Sequence, residues 1–207
     1  MRVEELEHLV RAAAEMTGRY EFVIVGSQAI LGSHPNAPAV FTMSNEADMY
    51  VFNDDNVDDL STELEGSLGD GSAFHETHGF YAQGVDPTTA KLPSSWQSRV
   101  TRLQSRGTNG RVAYCISPVD LFLSKCAANR DKDREFNIAL LEHGYVTAAE
   151  AASLVHEMPI DEAWRSRITL LIGRLVQAVD GRAQDASPAQ PSVAGDAAPK
   201  PPRKPRP

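Results

Sequence analysis

The stretch Phe22-Val23-Ile24-Val25-Gly26-Ser27-Gln28-Ala29-Ile30-Leu31, followed after a loop by Glu46-Ala47-Asp48-Met49-Tyr50-Val51-Phe52, decides how this chain is read. Tyr20 to Val25, with its apolar run Phe22 to Val25 ending at Gly26-Ser27, has the pattern of a buried strand that turns sharply. In the second segment, residues two apart share one face of a strand. Glu46 and Asp48 therefore project side by side while Ala47 and Met49 face the core. Two carboxylates about 6–7 Å apart on a rigid face repel each other unless a cation lies between them. That arrangement suits a hard divalent ion, Mg²⁺ or Mn²⁺, held jointly with substrate phosphates. Gly26-Ser27 adds backbone N–H groups free to approach a phosphate, and a hydroxyl beside them. Each feature alone is commonly a solvated face or a plain turn. Their order, at the head of an α/β pattern, points to a site.

Outward from this core, Val3, Leu6, Val10, Ala13 and Ala14 recur at helical spacing before Gly18. Asn53-Asp54-Asp55 caps a short acidic helix expected to reach Leu64. Residues 73–85 and 98–116 read as further strands, with turns at Gly79, Gly84 and Asn109-Gly110. The second half is helical. Ser117-Pro118-Val119-Asp120 opens a helix running toward Gly144, with Ser as cap and Pro in the first turn. Thr147 to Glu150 opens a second helix closed by Pro159, and Asp161 to Val179 forms a third, stopped by Gly181. From residue 182 the chain is rich in Ala, Pro, Ser and Gln and ends PKPPRKPRP, a composition expected to be disordered. The predicted organisation is an α/β domain over 1–116, a helical part over 117–181 completing a cleft, and a basic tail over 182–207.

The helix predicted over 117–144 carries a conflict. Around Lys125, the residues Leu121, Phe122, Asn129, Asp133, Phe136 and Leu140 fall on one stripe of an unbroken helix. Lys125, Asn129 and Asp133 interrupt the large apolar side chains there, and an unpaired charge in such a stripe is costly. Either Lys125 and Asp133 satisfy each other across two turns, which is long for a direct pair, or the stripe faces a polar cleft. Lys132 shares that face and Arg130 flanks it. Cations opposite metal-binding acids are what a triphosphate requires.

Charge excludes some partners. The 207 residues hold 20 Lys and Arg against 28 Asp and Glu, a net charge of −8. Residues 1–100 carry 5 basic and 16 acidic side chains, and 101–207 carry 15 and 12. An acidic front half argues against wrapping a nucleic-acid duplex. No run approaches the roughly 18 apolar residues of a membrane span, and MRVEELEHLV places acids where a signal peptide is basic. The two cysteines, Cys115 and Cys126, make no disulfide framework. A soluble protein of the reducing cytoplasm, without membrane contact, is expected. His75-x-x-His78 reads as a surface pair lacking further zinc ligands, Cys126 as a structural thiol, and Trp96 and Trp164 as packing residues.

Gly26-Ser27 and Glu46-Ala47-Asp48 resemble the pattern of the nucleotidyltransferase superfamily of the DNA polymerase β type: apolar strand, Gly-Ser, helix, then a strand with two carboxylates one residue apart. GFYAQGVDPTTAKLPSSWQSRV (79–100) and SPVDLFLSKCAANRDKDREFNIALLEHG (117–144) are similar to parts of small bacterial nucleotidyltransferases related to the AbiEii and MenT toxins. The resemblance covers roughly residues 20–150. It implies an α/β (α+β) fold, a mixed sheet flanked by helices with a helical C-terminal part. It also implies transfer of a nucleotidyl group from an NTP to an acceptor hydroxyl, with tRNA as an acceptor and a cognate antitoxin protein as a partner. Glu46 and Asp48 would hold the metal, and Gly26, Ser27, Lys125, Arg130 and Lys132 would bind phosphates. Asp133 would position the acceptor or act as its base. The chain departs from the pattern in its 18 residues between Ser27 and Glu46, and in having Glu as first carboxylate. It shows no evident third strand carboxylate; Asp86 and Asp120 are candidates, the latter better explained as a cap. The alternative is an inactive nucleotide- or nucleic-acid-binding member acting as an antitoxin-like partner.

Overall fold

The computed structural model describes residues 1–185. In chain order it contains α1 (Val3–Thr17), β1 (Glu21–Val25), a 3₁₀ turn (Ser27–Ala29), α2 (Ile30–Ser33), α3 (Ala39–Thr42) and β2 (Glu46–Val51). There follow α4 (Val57–Leu68), α5 (Ala73–His78), β3 (Tyr81–Gly84), a 3₁₀ turn (Trp96–Arg99), β4 (Thr101–Leu103) and β5 (Val112–Cys115). The helical part comprises α6 (Pro118–Ala128), α7 (Asp131–Glu142), α8 (Ala148–Leu154), a 3₁₀ turn (Val155–Glu157) and α9 (Glu162–Asp185). Among the described residues no helix is long and apolar enough to cross a membrane.

The strands form one mixed sheet in the order β3-β2-β1-β5-β4. β1 lies antiparallel to β2, with Val25 opposite Asp48, and parallel to β5. β2 is parallel to β3, pairing Glu46 with Tyr81 and Asp48 with Gln83. The C-terminal end of β1 thus meets the N-terminal ends of β2 and β3, and the helix that follows β5 starts from the same edge. Gly26-Ser27, the two carboxylates and α6 are gathered there by topology alone. β1 is central, and Phe22 to Val25 are buried, as a continuous apolar run in a covered sheet requires. One continuous core extends from Leu6 and Leu9 of α1 through β1 to Phe122 of α6 and Ile168 of α9.

Several elements differ from the sequence reading. Residues 73–78 are helical, not extended, because Ser72 caps the segment by accepting from the His75 N–H. Only Tyr81–Gly84 pairs as a strand there. The 98–116 stretch divides into β4 and β5 around the expected Asn109-Gly110 turn, where both residues have positive φ. α4 begins after Asn56 and continues to Leu68, whose side chain is buried. α9 passes through Gly181 to Asp185, and Arg182 forms ion pairs with Glu135 and Glu142 of α7 that hold this last turn. The remainder of the predicted tail, from residue 186, lies outside the described residues.

The predicted helix over 117–144 is two helices. Ser117 and Pro118 open α6 as expected. The helix then ends at Asn129, which adopts a left-handed conformation at φ 50° and returns its N–H to the Lys125 carbonyl at 2.8 Å. Asn is the non-glycine residue best suited to that cap. α7 restarts two residues later.

Candidate active site

A cleft of about 750 Å³ opens at the edge where β1, β2 and α6 converge. Seven of the eight residues singled out from sequence line it: Gly26, Ser27, Glu46 and Asp48 on the sheet side, Lys125, Arg130 and Lys132 on the helical side. The eighth, Asp133, is fully buried beneath.

Gly26 permits the closeness of the sheet-side groups. Its φ is +66°, and a Cβ there would fall 1.8 Å from Asp48 Oδ2. Only glycine fits. Burial, and then the neighbouring Glu46 carboxylate, push Asp48 up to about 6 against the opposing pull of Lys125 and Arg130. The two carboxylates, one residue apart on β2, line the same cleft. Adjacent carboxylate oxygens opening onto a cleft are hard donors, so the residues fit a divalent ion. Among the described residues no cluster of three or more His, Cys, Asp or Glu side chains forms a complete cage. The pair would share its cation with phosphate oxygens, as Mg²⁺ sites commonly do.

The helix break resolves the conflict seen in the sequence. With α7 redirected after Asn129, Asp133 comes within direct reach of Lys125. Lys125 Nζ donates to Asp133 Oδ1 and to Ser27 Oγ, both at 3.0 Å, and lies 4.4 Å from the Phe136 ring centroid. Arg130 Nε donates to Asp133 Oδ2 at 2.6 Å. Burial lowers the Lys125 ammonium below its usual range, opposed by Asp133. Burial works in the other direction on Asp133, but the bonds from Arg130 and Lys125 outweigh it and hold the carboxyl low.

Asp133, expected to position the acceptor or act as its base, lies beneath the cleft and does not line it. Its carboxylate is buried and accepts from both Lys125 and Arg130, so in this arrangement it is turned toward those cations rather than toward the cleft opening. Its action is on Lys125 and Arg130, which it aims into the cleft.

Among the described residues no third strand carboxylate joins the pair; Glu135 of α7 also lines the cleft but is paired with Arg182. Gln83 stands beside Asp48 in register on β3 and lines the cleft. Asp86 accepts from the Thr88 N–H at 2.6 Å and borders a separate shallow hollow with Asp58 and Glu65. Asp120 accepts from the Ser117 hydroxyl at 2.6 Å and from Arg99 Nε at 3.1 Å and Nη2 at 2.5 Å, fully buried. It is more than a cap, since it ties the 96–99 turn to α6. His75 pairs with Asp70, and His78 packs on His8 and Phe74. Cys126 is buried, accepts from Asn137 at 3.2 Å, and is pushed up to about 12 by burial. It is a structural thiol, as its sequence context suggests.

Some cleft residues were not singled out in sequence. Val40 and Met43, 42% and 80% exposed, form an apolar wall, and Lys91 enters from the loop after β3. Trp164 at the start of α9 faces them, 36% exposed, instead of being enclosed as a packing residue. An indole left this open at a helix start is visible only once α9 is docked.

The search of curated proteins and that of solved structures each found no match. The family model described as nucleotidyltransferase of unknown function (DUF6036) matches residues 2–143, a span that includes β1, β2, the whole sheet and both helices carrying the cleft cations. The strand acids, the Gly-Ser turn and the buried lysine are thus features of a chain that belongs to this family of nucleotidyltransferases of unknown function.

Proposed function

We propose that this chain is a Mg²⁺- or Mn²⁺-dependent enzyme that moves a nucleotidyl group from an NTP to an acceptor hydroxyl. One observation carries the reading: the acids of β2 and the cations of α6 and α7 border a single cleft, joined by the Gly26-Ser27 turn. Glu46 and Asp48 are the residues to hold the cation, which when bound offsets phosphate charge and favours in-line displacement. Lys125, fixed by Ser27, Asp133 and Phe136, presents its ammonium to the triphosphate. Arg130 and Lys132 at the rim offset charge on the departing pyrophosphate. The acceptor oxygen bonds to the α-phosphorus as the bond to the bridging oxygen breaks, pyrophosphate leaves, and the hydroxyl proton passes to solvent.

The resemblance to the AbiEii and MenT toxins extends the proposal to a tRNA as acceptor. It extends it also to a toxin or defence role in the cytoplasm, restrained by a cognate antitoxin protein. Incubation with each α-labelled NTP, a divalent cation and total RNA tests this. Transfer of label by the parent and none by Asp48→Asn is the expected result. Equal labelling by both rejects the metal assignment.

A second reading rests on Gln83, an amide where a third acid would stand beside Asp48. It makes the chain a nucleotide-binding member without turnover, acting as an antitoxin-like partner. Cation-dependent binding of NTP with no transfer from any of the four nucleotides would favour it.

A further inference from the structure

The first carboxylate of the pair is a glutamate, with one more rotatable bond than an aspartate and more conformational freedom to lose when it is fixed. A carboxylate that ligates a cation is normally held by a partner in the surrounding protein. β3 supplies one. Tyr81, its first residue, is the registered neighbour of Glu46, and registered residues on parallel strands point to the same face. The Tyr81 hydroxyl donates to Glu46 Oε2 at 3.0 Å. The Tyr81 ring is itself braced, 4.6 Å from the His75 ring, whose Nδ1 lies 3.0 Å from Asp70 Oδ1. α5 and the turn before it thus support Tyr81 from behind.

We infer that Tyr81 is a positioning residue for cation binding, holding Oε2 of Glu46 so that the remaining oxygen is aimed beside Asp48. This rests on the assignment of Glu46 and Asp48 as cation ligands. The inference also accounts for the departure at position 46. A glutamate carboxylate extends about one methylene further than an aspartate's, so shortening the side chain withdraws it from the Tyr81 hydroxyl.

The test is binding of Mn²⁺ alone to the full chain, followed by the electron paramagnetic resonance of the free ion. The parent, Tyr81→Phe, Glu46→Asp, the double variant and Asp48→Asn are compared, with melting temperatures measured on each. Tyr81→Phe should weaken Mn²⁺ binding by about tenfold at a nearly unchanged melting temperature. In the Glu46→Asp background the same change should alter affinity by less than about twofold, because the bond it removes is already lost. Binding by Tyr81→Phe equal to the parent, while Asp48→Asn loses the ion, overturns the role of Tyr81 and leaves the metal assignment standing. The same tenfold loss in the Glu46→Asp background also overturns it, since the effect would not pass through residue 46. Equal binding by the parent and Asp48→Asn overturns the metal assignment and this inference with it.

Discussion

Replacing Asp48 with asparagine should make the protein more stable while abolishing the proposed transfer. Asp48 is pushed from its usual 3.8 up to about 6, mainly by burial and then by Glu46. A carboxyl whose folded value is raised favours the fold only while it is protonated. The favourable contribution is complete below about pH 4 and is lost as pH rises to about 6, above which the penalty is constant. Two pH units correspond to about 3 kcal/mol. The group is not wholly cut off from solvent, so about 1.5–3 kcal/mol is the expected gain for an amide that stays neutral. In a domain of this size that equals a rise of about 4–10 °C in melting temperature. Urea unfolding of both proteins in chelator, at pH 4 and pH 7.5, measures it directly. The variant should gain stability at pH 7.5 and match the parent at pH 4, and added Mg²⁺ should narrow the gap by stabilising only the parent. A variant less stable than the parent at pH 7.5, or one equally shifted at both pH values, refutes the reasoning.

Three further substitutions address other parts of the site. Asp133→Ala strands Lys125 and Arg130 without their counter-charge, and Lys125 is only 8% exposed; denaturant unfolding should show a loss of about 3–5 kcal/mol. Gly26→Ala must place a Cβ against Asp48 at φ +66°. It should cost about 1–3 kcal/mol in unfolding experiments and remove label transfer. Trp164 stands on the cleft wall, so ATP should quench tryptophan fluorescence in the parent. Trp164→Phe should abolish that quenching, with Trp96 left as an unresponsive reporter.

What the sequence made legible follows a physical division. β1 and β2 could be read because a fully apolar run and an alternating acid pattern are local signals, and the same alternation put Glu46 and Asp48 on one face. The conflict at Lys125 was legible too, since a charge in an apolar stripe demands a partner. Its solution was not. The direct Lys125–Asp133 bond depends on a left-handed Asn129, and an Asn inside a helical pattern is as compatible with continuation as with a break. Continuation would leave Asp133 on the same stripe as Lys125, two turns away and too far for a direct pair; its acceptor role is implied by the family resemblance alone. Residues 73–78 read as the start of a strand over 73–85 because Phe74 and His75 suit either state, and the Ser72 cap decides for the helix. The registered pairs Glu46–Tyr81 and Asp48–Gln83 join segments 35 positions apart, and nothing local encodes such a pairing.

The family match stops at residue 143, yet the molecule does not. Ile168, Ile172 and Leu175 of α9 are at most 4% exposed, and α9 packs on both α6 and α7. Each such aliphatic side chain contributes about 1.5–3 kcal/mol on burial. A chain cut at residue 143 would lay open a greasy scar on the same two helices that carry Lys125 and Arg130, inviting aggregation before any chemistry could be measured. α9 is therefore a structural clasp on the two helices that line the cleft, although it lies beyond the matched span.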